Sequence, residues 1–433
     1  MEDVNTLEMD KEKLENAIKQ QFGNNKDFSV TDNKDGSFLV NMNDTKRMYY
    51  IDETGKIIDQ SKMLRISTAD ELKAFRNNVN NGNTYEGWYV YLANDITLDI
   101  NEEWEPIGMY PMENSSPADE TNKPFKGIFD GNGHEVDGIY INTTDKAQAL
   151  FGIANNGKIL NLGIGENCNI KGDGTATSSI VGVLYNNAKI INCYNKSNIE
   201  VGGYSGGIVG VCQVNSEIIN CYNTGNISVK RDLSDANIGG IVGNLHTDSK
   251  INNCYNAGDI NKEGNYNISK VGGIVGRAQI NSKIENSFNK GNINGQNNIG
   301  GINGENANSV QIQNCYNIGN ISGYNQIGGI SGQNTNEISN CYNIGFITGT
   351  THVGGITGQN LNSTTYNTIG LIRNSYSLEN VAESLEGGNS YGIIENSSIK
   401  TEQEMKSLAQ TLGIAFKEDI NNINNGYPIL QWQ

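Results

Sequence analysis

The chain is poor in proline, basic residues, histidine and long apolar runs. It has 5 prolines beside 52 glycines, which argues against a proline-rich linker or PPII rod and for many tight turns. Lys and Arg total 31 against 48 Asp and Glu, so the formal net charge is −17. Nucleic acid and anionic membrane surfaces both attract basic patches, so neither is expected as a partner. No stretch reaches the roughly 20 apolar residues that cross a bilayer. The opening "MEDVNTLEMDKEKLENAIKQQ" has no basic n-region followed by an apolar h-region. Our expectation is nonetheless a protein at the cell surface or outside the cell, its export or anchoring segment removed, without membrane insertion of its own.

What the chain does have is repetition. "NCYNTGNI" at Asn220 has near-copies beginning at Asn192, Asn253, Asn286, Asn314 and Asn340. A second phrase alternates with it: "GGIVG" at Gly206, Gly239 and Gly272, then "GGING", "GGISG" and "GGITG". Their closing glycines, with two degenerate copies upstream, are Gly152, Gly182, Gly210, Gly243, Gly276, Gly304, Gly332 and Gly358. Eight units of 26 to 33 residues mark a solenoid. Each unit holds short β-branched segments bounded by Gly or Asn and no amphipathic run of ten or more residues, which reads as strands and turns. The longer units carry extra residues in "SVKRDLSDAN" and "NKEGNYNISK", read as loops protruding from one edge.

Comparing copies gives columns. Ile208, Ile241, Ile274, Ile302, Ile330 and Ile356 never vary, whereas the next column reads Val209, Val242, Val275, Asn303, Ser331, Thr357. In an unbroken strand neighbours face opposite ways, so the Ile column is expected inside and the drifting column in water. Ile251 and Cys254 are an odd distance apart, as are Ile284 and Ser287, which demands a bend at Asn253 and Asn286. The phrase is therefore read as a corner, its Asn amides hydrogen-bonding along the axis and its small Cys or Ser filling the interior beside it. One coil buries too little apolar surface to offset its backbone entropy, so coils must stack about 4.8 Å apart with every amide paired.

These residues also carry a resemblance. The "GGIVG…INNCYNAGDI" units are similar to the GLUG-motif repeats of bacterial surface proteins, including those beside the peptidase of bacterial IgA1-type proteases. "DELKAFRNNVNNGNTYEGWYVYLANDITLD" and the following "EWEPIG…PFKGIFDGNGHEVDGIYINTTDKAQALFG" resemble the segment preceding such repeats, and "NNINNGYPILQWQ" their ending. The resemblance spans about Thr68 to Gln433. It implies a mostly β chain, a right-handed parallel β-helix (solenoid) on a bacterial surface or secreted protein, without implying an activity. The related peptidase would need H-E-x-x-H, and His134, His246 and His352 stand in no such setting.

The expected organisation is a small N-terminal α+β unit (1–65), a capping helix and entry strands (66–148), GLUG-type coils (149–400) and a C-terminal helical cap (401–433). Open solenoid ends expose unpaired backbone. "TADELKAFRNNVNNG" has a capping box at Thr68 and Glu71 and an apolar stripe of Leu72, Phe75 and Val79, suited to cover the first coil. "TEQEMKSLAQTLG" repeats the device at the other end with Thr401, Glu404, Met405, Leu408 and Leu412, and Pro428, Ile429, Leu430 and Trp432 are expected to complete that plug. In residues 1–65 we expect a helix around Asp10–Phe22, then alternating strands turning at Asp35-Gly36 and Thr54-Gly55.

Among candidate sites, Cys193, Cys221, Cys254, Cys315 and Cys341 form one column, with Ser287 and Ser375 in the same position and Cys168 and Cys212 outside it. Stacked Cβ atoms about 4.8 Å apart exceed the roughly 3.5–4.5 Å of a disulfide, so inert buried thiols are expected. "FDGNGHEVDG" (Asp130–Gly138) has the look of a Ca²⁺ loop or a His-Asp pair but lacks the closing Glu of an EF-hand; a turn shaped by Gly131 and Gly133 is expected, with Ca²⁺ the one cofactor to test and none otherwise implied. Arg231, Asp232, Asp235 and Glu263 lie in the protruding loops and read as solvated charges. Tyr194, Tyr222, Tyr255, Phe288, Tyr316, Tyr342 and Tyr376 follow the inward Cys and should form an outward aromatic ladder, either a stacking device that protects the sheet or a strip that binds carbohydrate or a host or extracellular protein. The functional expectation is a non-catalytic, adhesin-like rod. The alternatives are a polysaccharide lyase or glycoside hydrolase on a β-helix, and a structural spacer.

Overall fold

The computed structural model describes residues 16, 18, 23, 27–32, 37–43, 47–52, 55, 57–58, 60–110, 116–118, 121–230, 236–264, 267–307, 309–364, 367–388 and 391–433. Most of the expected Asp10–Phe22 helix, the Asp35-Gly36 turn, Thr54, and Arg231, Asp232 and Asp235 lie outside the described residues.

The chain winds into a parallel β-solenoid of about 10 turns. One turn shows the pattern: strands Lys189–Ile191, Tyr194–Asn195, Ile199–Val201, Tyr204–Gly206 and Val209–Gln213 each join a different sheet. In that order the sheets have twelve, eleven, eight, six and eight strands, and successive coils pair in parallel. Like residues therefore fall in register: Ile190, Ile218, Ile251, Ile284, Ile312, Ile338 and Ile372 stack in the first sheet, all buried in one continuous core.

The Asn corner is made as expected. Asn192, Asn220, Asn253, Asn286, Asn314 and Asn340 have φ between 49° and 55°, the left-handed region that Asn tolerates. Asn220 Nδ2 donates to Asn192 Oδ1 at 3.1 Å and Asn253 Nδ2 to Asn220 Oδ1 at 3.1 Å. Asn286 reaches Asn252 instead, at 2.8 Å, and the ladder resumes through Asn314 and Asn340.

The drifting column is not in water. Val209, Val242, Val275, Asn303, Ser331 and Thr357 are as fully buried as the Ile column before them. The reason is a second corner at the Gly-Ile step: Ile208 N–H and Val209 N–H both donate to the Ile241 carbonyl, so the backbone turns between them and both side chains point inward. Alternation fails where the strand does. Gly240 has no room for a side chain, because a Cβ there would sit 2.0 Å from the Gly273 carbonyl oxygen and 2.4 Å from Asn256 Cγ.

The helix Ala69–Asn80 closes the N-terminal end, with Leu72, Phe75 and Val79 buried in the solenoid core. Thr68 Oγ1 accepts from Glu71 N–H at 3.3 Å, while the Glu71 carboxylate accepts from Ser67 N–H at 2.6 Å, one residue before the box position. The N-terminal unit contributes four antiparallel strands, Phe28–Asp32, Phe38–Met42, Arg47–Ile51 and Ile57–Ile58. One face, with Leu39, Tyr50 and Ile58, packs against Tyr89, Leu160, Ile191 and Ile219 on the outer side of the first sheet. That explains the apolar outward residues of the early coils, whose later equivalents Asn252 and Glu285 are polar.

The C-terminal segment does not plug the far end. Helices Glu402–Lys406 and Ala409–Leu412 begin at the complete Thr401–Glu404 capping box, then the chain runs back along the side of the rod. Met405, Leu408, Leu412, Phe416, Tyr427 and Leu430 pack on the aromatic ladder, and Trp432 reaches Tyr255. A ladder of buried-size rings offers the stripe far more apolar contact than a single coil edge would.

Candidate functional site

From Tyr194 to Tyr342 each ladder strand is two residues long and follows the Asn corner. Cys points in, the aromatic ring points out, and the next Asn points in. Adjacent coils put identical rings at nearly one coil spacing. From Tyr194 through Tyr222, Tyr255, Phe288 and Tyr316 to Tyr342 the centroids are 4.8–5.0 Å apart and the planes within 8° of parallel. Each such pair adds about 0.5–1.5 kcal/mol beyond burial.

The ladder is not a free strip over its whole length. Phe288, Tyr316, Tyr342 and Tyr376 are buried under the C-terminal segment, whereas Tyr194, Tyr222 and Tyr255 stay half-buried. Polar contacts fasten the cover. Tyr316 OH donates to Gln433 Oε1 at 2.9 Å, Tyr342 OH to the Pro428 carbonyl, and Asn424 Nδ2 to Tyr342 OH at 2.8 Å. Trp432 closes the covered section, its ring 5.6 Å from Phe288 and 6.5 Å from Tyr255, with 39% of its surface exposed.

Stacking decides what the open section can do. Every ring between Tyr194 and Tyr342 has both faces against its neighbours, so only edges and hydroxyls look outward. The first ring is no exception: Tyr194 lies over Gly163, where a Cβ would come within 2.4 Å of Tyr194 Cζ. Its hydroxyl donates to Glu135 Oε1 at 2.7 Å, and the Lys196 ammonium sits 5.2 Å from its ring centre while pairing with Glu135. Burial, then the Glu135 carboxylate, pushes the Tyr194 phenol well above its ordinary range; burial raises Tyr222 and Tyr255 as well, so all three stay neutral donors. A sugar ring seeking an aromatic face finds none free along this run.

All seven cysteines are free. In the column, the N–H of Cys193 meets Cys221 Sγ at 3.4 Å and that of Cys221 meets Cys254 Sγ at 3.4 Å, while Cys254 N–H meets Ser287 Oγ at 3.1 Å. The thiols donate in turn to nearby carbonyls, as Cys221 Sγ does to Ile219 O at 3.2 Å. A small side chain that both accepts and donates is what the position requires, so Ser substitutes without loss. Burial lifts the Cys193, Cys221 and Cys315 thiols well above the ordinary range.

"FDGNGHEVDG" is a turn whose acids are engaged by the fold. Asn132 and Gly133 have φ of 54° and 82°. Buried Asp130 accepts from Tyr89 OH at 2.6 Å, Asn132 N–H at 2.7 Å and Asn161 Nδ2 at 3.1 Å, which starts the Asn ladder. Asp137 accepts from Gly138 N–H, Asn167 N–H and Asn167 Nδ2, and His134 meets Asp95 at 3.0 Å on the surface.

Two features escaped the sequence reading. The second Asn of "NCYN" forms a buried ladder: Asn195, Asn223, Asn256, Asn289, Asn317 and Asn343 each donate to a carbonyl two residues on, and the first five also donate to the next Asn Oδ1 at 2.8–2.9 Å. Its invariance was visible, but polar invariance beside an outward Tyr looks like surface. The other feature is a groove of about 630 Å³ lined by Glu103, Glu105, Tyr110, Thr143, Asp145 and Lys146, among others, assembled from distant segments with no shared motif.

The model of the GLUG motif matches residues 269–294, one unit of the array. No curated protein matches the chain. Among solved structures it is similar to a candidate immunoglobulin A1 protease from Bacteroides ovatus, at 20% identity and a TM-score of 0.45 over 87% of this chain and 94% of that one. The parallel pairing of successive coils makes the class a parallel β-solenoid. Within it, residues 269–294 match the GLUG motif, in a unit whose near-copies make up the array.

Proposed function

We propose that this is a non-catalytic, adhesin-like rod of a bacterial cell surface or secretion, which holds an extracellular protein through the lateral strip Tyr194, Tyr222, Tyr255 and Trp432. The carrying observation is the edge-on display of Tyr194, Tyr222 and Tyr255 beside Trp432, with Lys196 over the Tyr194 ring and Lys290 over that of Phe288. Rigid aromatic edges with neutral hydroxyls suit a polypeptide surface, to which they offer apolar contact and hydrogen bonds at little entropic cost. Carbohydrate is less well served, because the faces of Tyr194, Tyr222 and Tyr255 are taken by their neighbours.

The test pairs an array of immobilised extracellular-matrix proteins with a glycan array. Binding to a matrix protein, lost in the triple variant Tyr194→Ser/Tyr222→Ser/Tyr255→Ser with its circular dichroism unchanged, is the expected result. Binding to glycans alone, binding on neither array, or binding indifferent to the triple variant overturns it.

One observation favours a second reading, a polysaccharide-active enzyme: three carboxylates, Glu103, Glu105 and Asp145, line the groove near the N-terminal end. Turnover of acidic polysaccharides, abolished by Glu105→Gln, would establish it; no turnover by the intact chain removes it.

A further inference from the structure

The two ends of the solenoid are finished differently. A helix seals the N-terminal end, but the core columns at the C-terminal end run out into solvent. Ile394 continues the buried column that ends at Ile372, and Ile399 pairs with buried Ser377. Both isoleucines occupy inward-facing positions, yet 41% and 36% of their surfaces are exposed. Among the described residues, Ile393–Glu395 is the last strand of the twelve-stranded sheet and Ser398–Lys400 the last of the eleven-stranded one, so each offers an unpaired edge. A third column ends there in a charge: Glu386 bridges to Thr357, an Asn360 side chain bonds its carboxyl, and Oε2 is buried with no partner. A buried carboxylate oxygen left unpaired is costly.

The charge of this end selects what fits it. Residues 379–404 hold six glutamates; Glu395, Glu402 and Glu404 pair with Arg373, Lys406 and Lys400, which leaves Glu379, Glu383 and Glu386 to make this end acidic. A second copy would set two acidic ends face to face, and the sealed N-terminal end excludes head-to-tail stacking. We propose that this end is a docking face for a basic, β-strand-forming segment of another protein, added as one further rung on Ile393–Glu395 and Ser398–Lys400. Its apolar residues would cover Ile394 and Ile399, and a Lys or Arg would pair with the half-buried Glu386 carboxyl. The site lies at the rod's end, apart from the lateral strip, and stands independently of the adhesin reading.

The probe is a synthetic alternating Lys-Val heptapeptide at physiological salt, compared with its Glu-Val counterpart and with heptalysine. Binding of the Lys-Val peptide alone, with hydrogen-exchange protection confined to amides 393–400, is the expected outcome. Ile394→Lys/Ile399→Lys should abolish it, and Glu386→Gln, which keeps the shape, should weaken it by at least about tenfold. Four outcomes overturn the proposal: no binding, equal binding of heptalysine or the Glu-Val peptide, indifference to both variants, or a dimer of the chain in sedimentation that buries the same amides.

Discussion

Trp432 donates its Nε1–H to the backbone carbonyl of Asn286 at 2.9 Å, across 146 residues of sequence. That bond pins the last residues of the chain to a corner of the solenoid several coils back, and it defines where the aromatic ladder passes from covered to open. The cover is held chiefly by apolar burial. Leu412→Ala should cost about 2–5 kcal/mol in equilibrium denaturation, as truncation of a buried Leu does. Trp432→Ala, with its ring partly in water, should cost less than Leu412→Ala. The reverse order would mean that the helices are passive and the tail carries the contact.

Acid should loosen the same cover. Burial works to raise the Asp419 carboxyl, but the N–H groups of Asn424, Ile423 and Gly426 outweigh it and hold the group below its ordinary value. A depressed folded value stabilises above the unfolded one, about 3.9, and the contribution disappears as pH falls through the folded value. Tryptophan fluorescence of the cover should be constant from about pH 7 to pH 5 and change below about pH 4. Asp419→Asn should flatten that acid limb; an unaltered limb would assign it to other carboxyls.

Two buried asparagines should respond oppositely to substitution. Asn256 donates to Gly258 O at 2.8 Å and to Asn289 Oδ1 at 2.9 Å, and accepts from Asn223 Nδ2, so Asn256→Ala strands its partners and should destabilise by about 1–3 kcal/mol or more. Asn303 is fully buried with neither amide atom bonded, in a column whose earlier members are Val209, Val242 and Val275. Asn303→Val should raise stability by about 1–3 kcal/mol. A loss on Asn303→Val would show that its amide has a partner after all.

The thiols should be silent until the rod opens. Burial, aided by the neighbouring Asp137 carboxylate, pushes Cys168 to about 12, and burial, with a smaller push from the Glu217 carboxylate, takes Cys212 to about 12. Thiolate is the reactive form, so a thiol reagent at pH 8 should modify the native protein slowly. After unfolding in non-reducing buffer all seven cysteines should react. Fewer than seven would reveal a disulfide.

Much of the rod was legible because repetition supplied its own comparison. Constant Ile and alternating Cys/Ser marked the interior, and odd spacing located the left-handed Asn corner. The Val column was misread because alternation holds only within a strand, and nothing local announces that the chain turns between Ile208 and Val209. The cover was recognised as a cap but assigned to the wrong surface. Its apolar stripe states that Met405, Leu408 and Leu412 need burial; only the folded solenoid shows that the ladder offers more area than the end. The outward Leu160, Ile191 and Ile219 were silent for the same reason, since their cover comes from Leu39, Tyr50 and Ile58 far upstream.

The stacking of coils has one direct test. Asn198, Asn226, Asp259, Asn292, Asn320 and Phe346 occupy one outer column, each of the first five accepting from the backbone N–H of the next. Spin labels at Asn198 paired with Asn292, Asn320 or Phe346 should give mean distances that grow by about 4.8 Å per coil, regardless of the uneven sequence spacing. Distances that do not grow by about one coil spacing at each step would contradict a rod built from one winding chain.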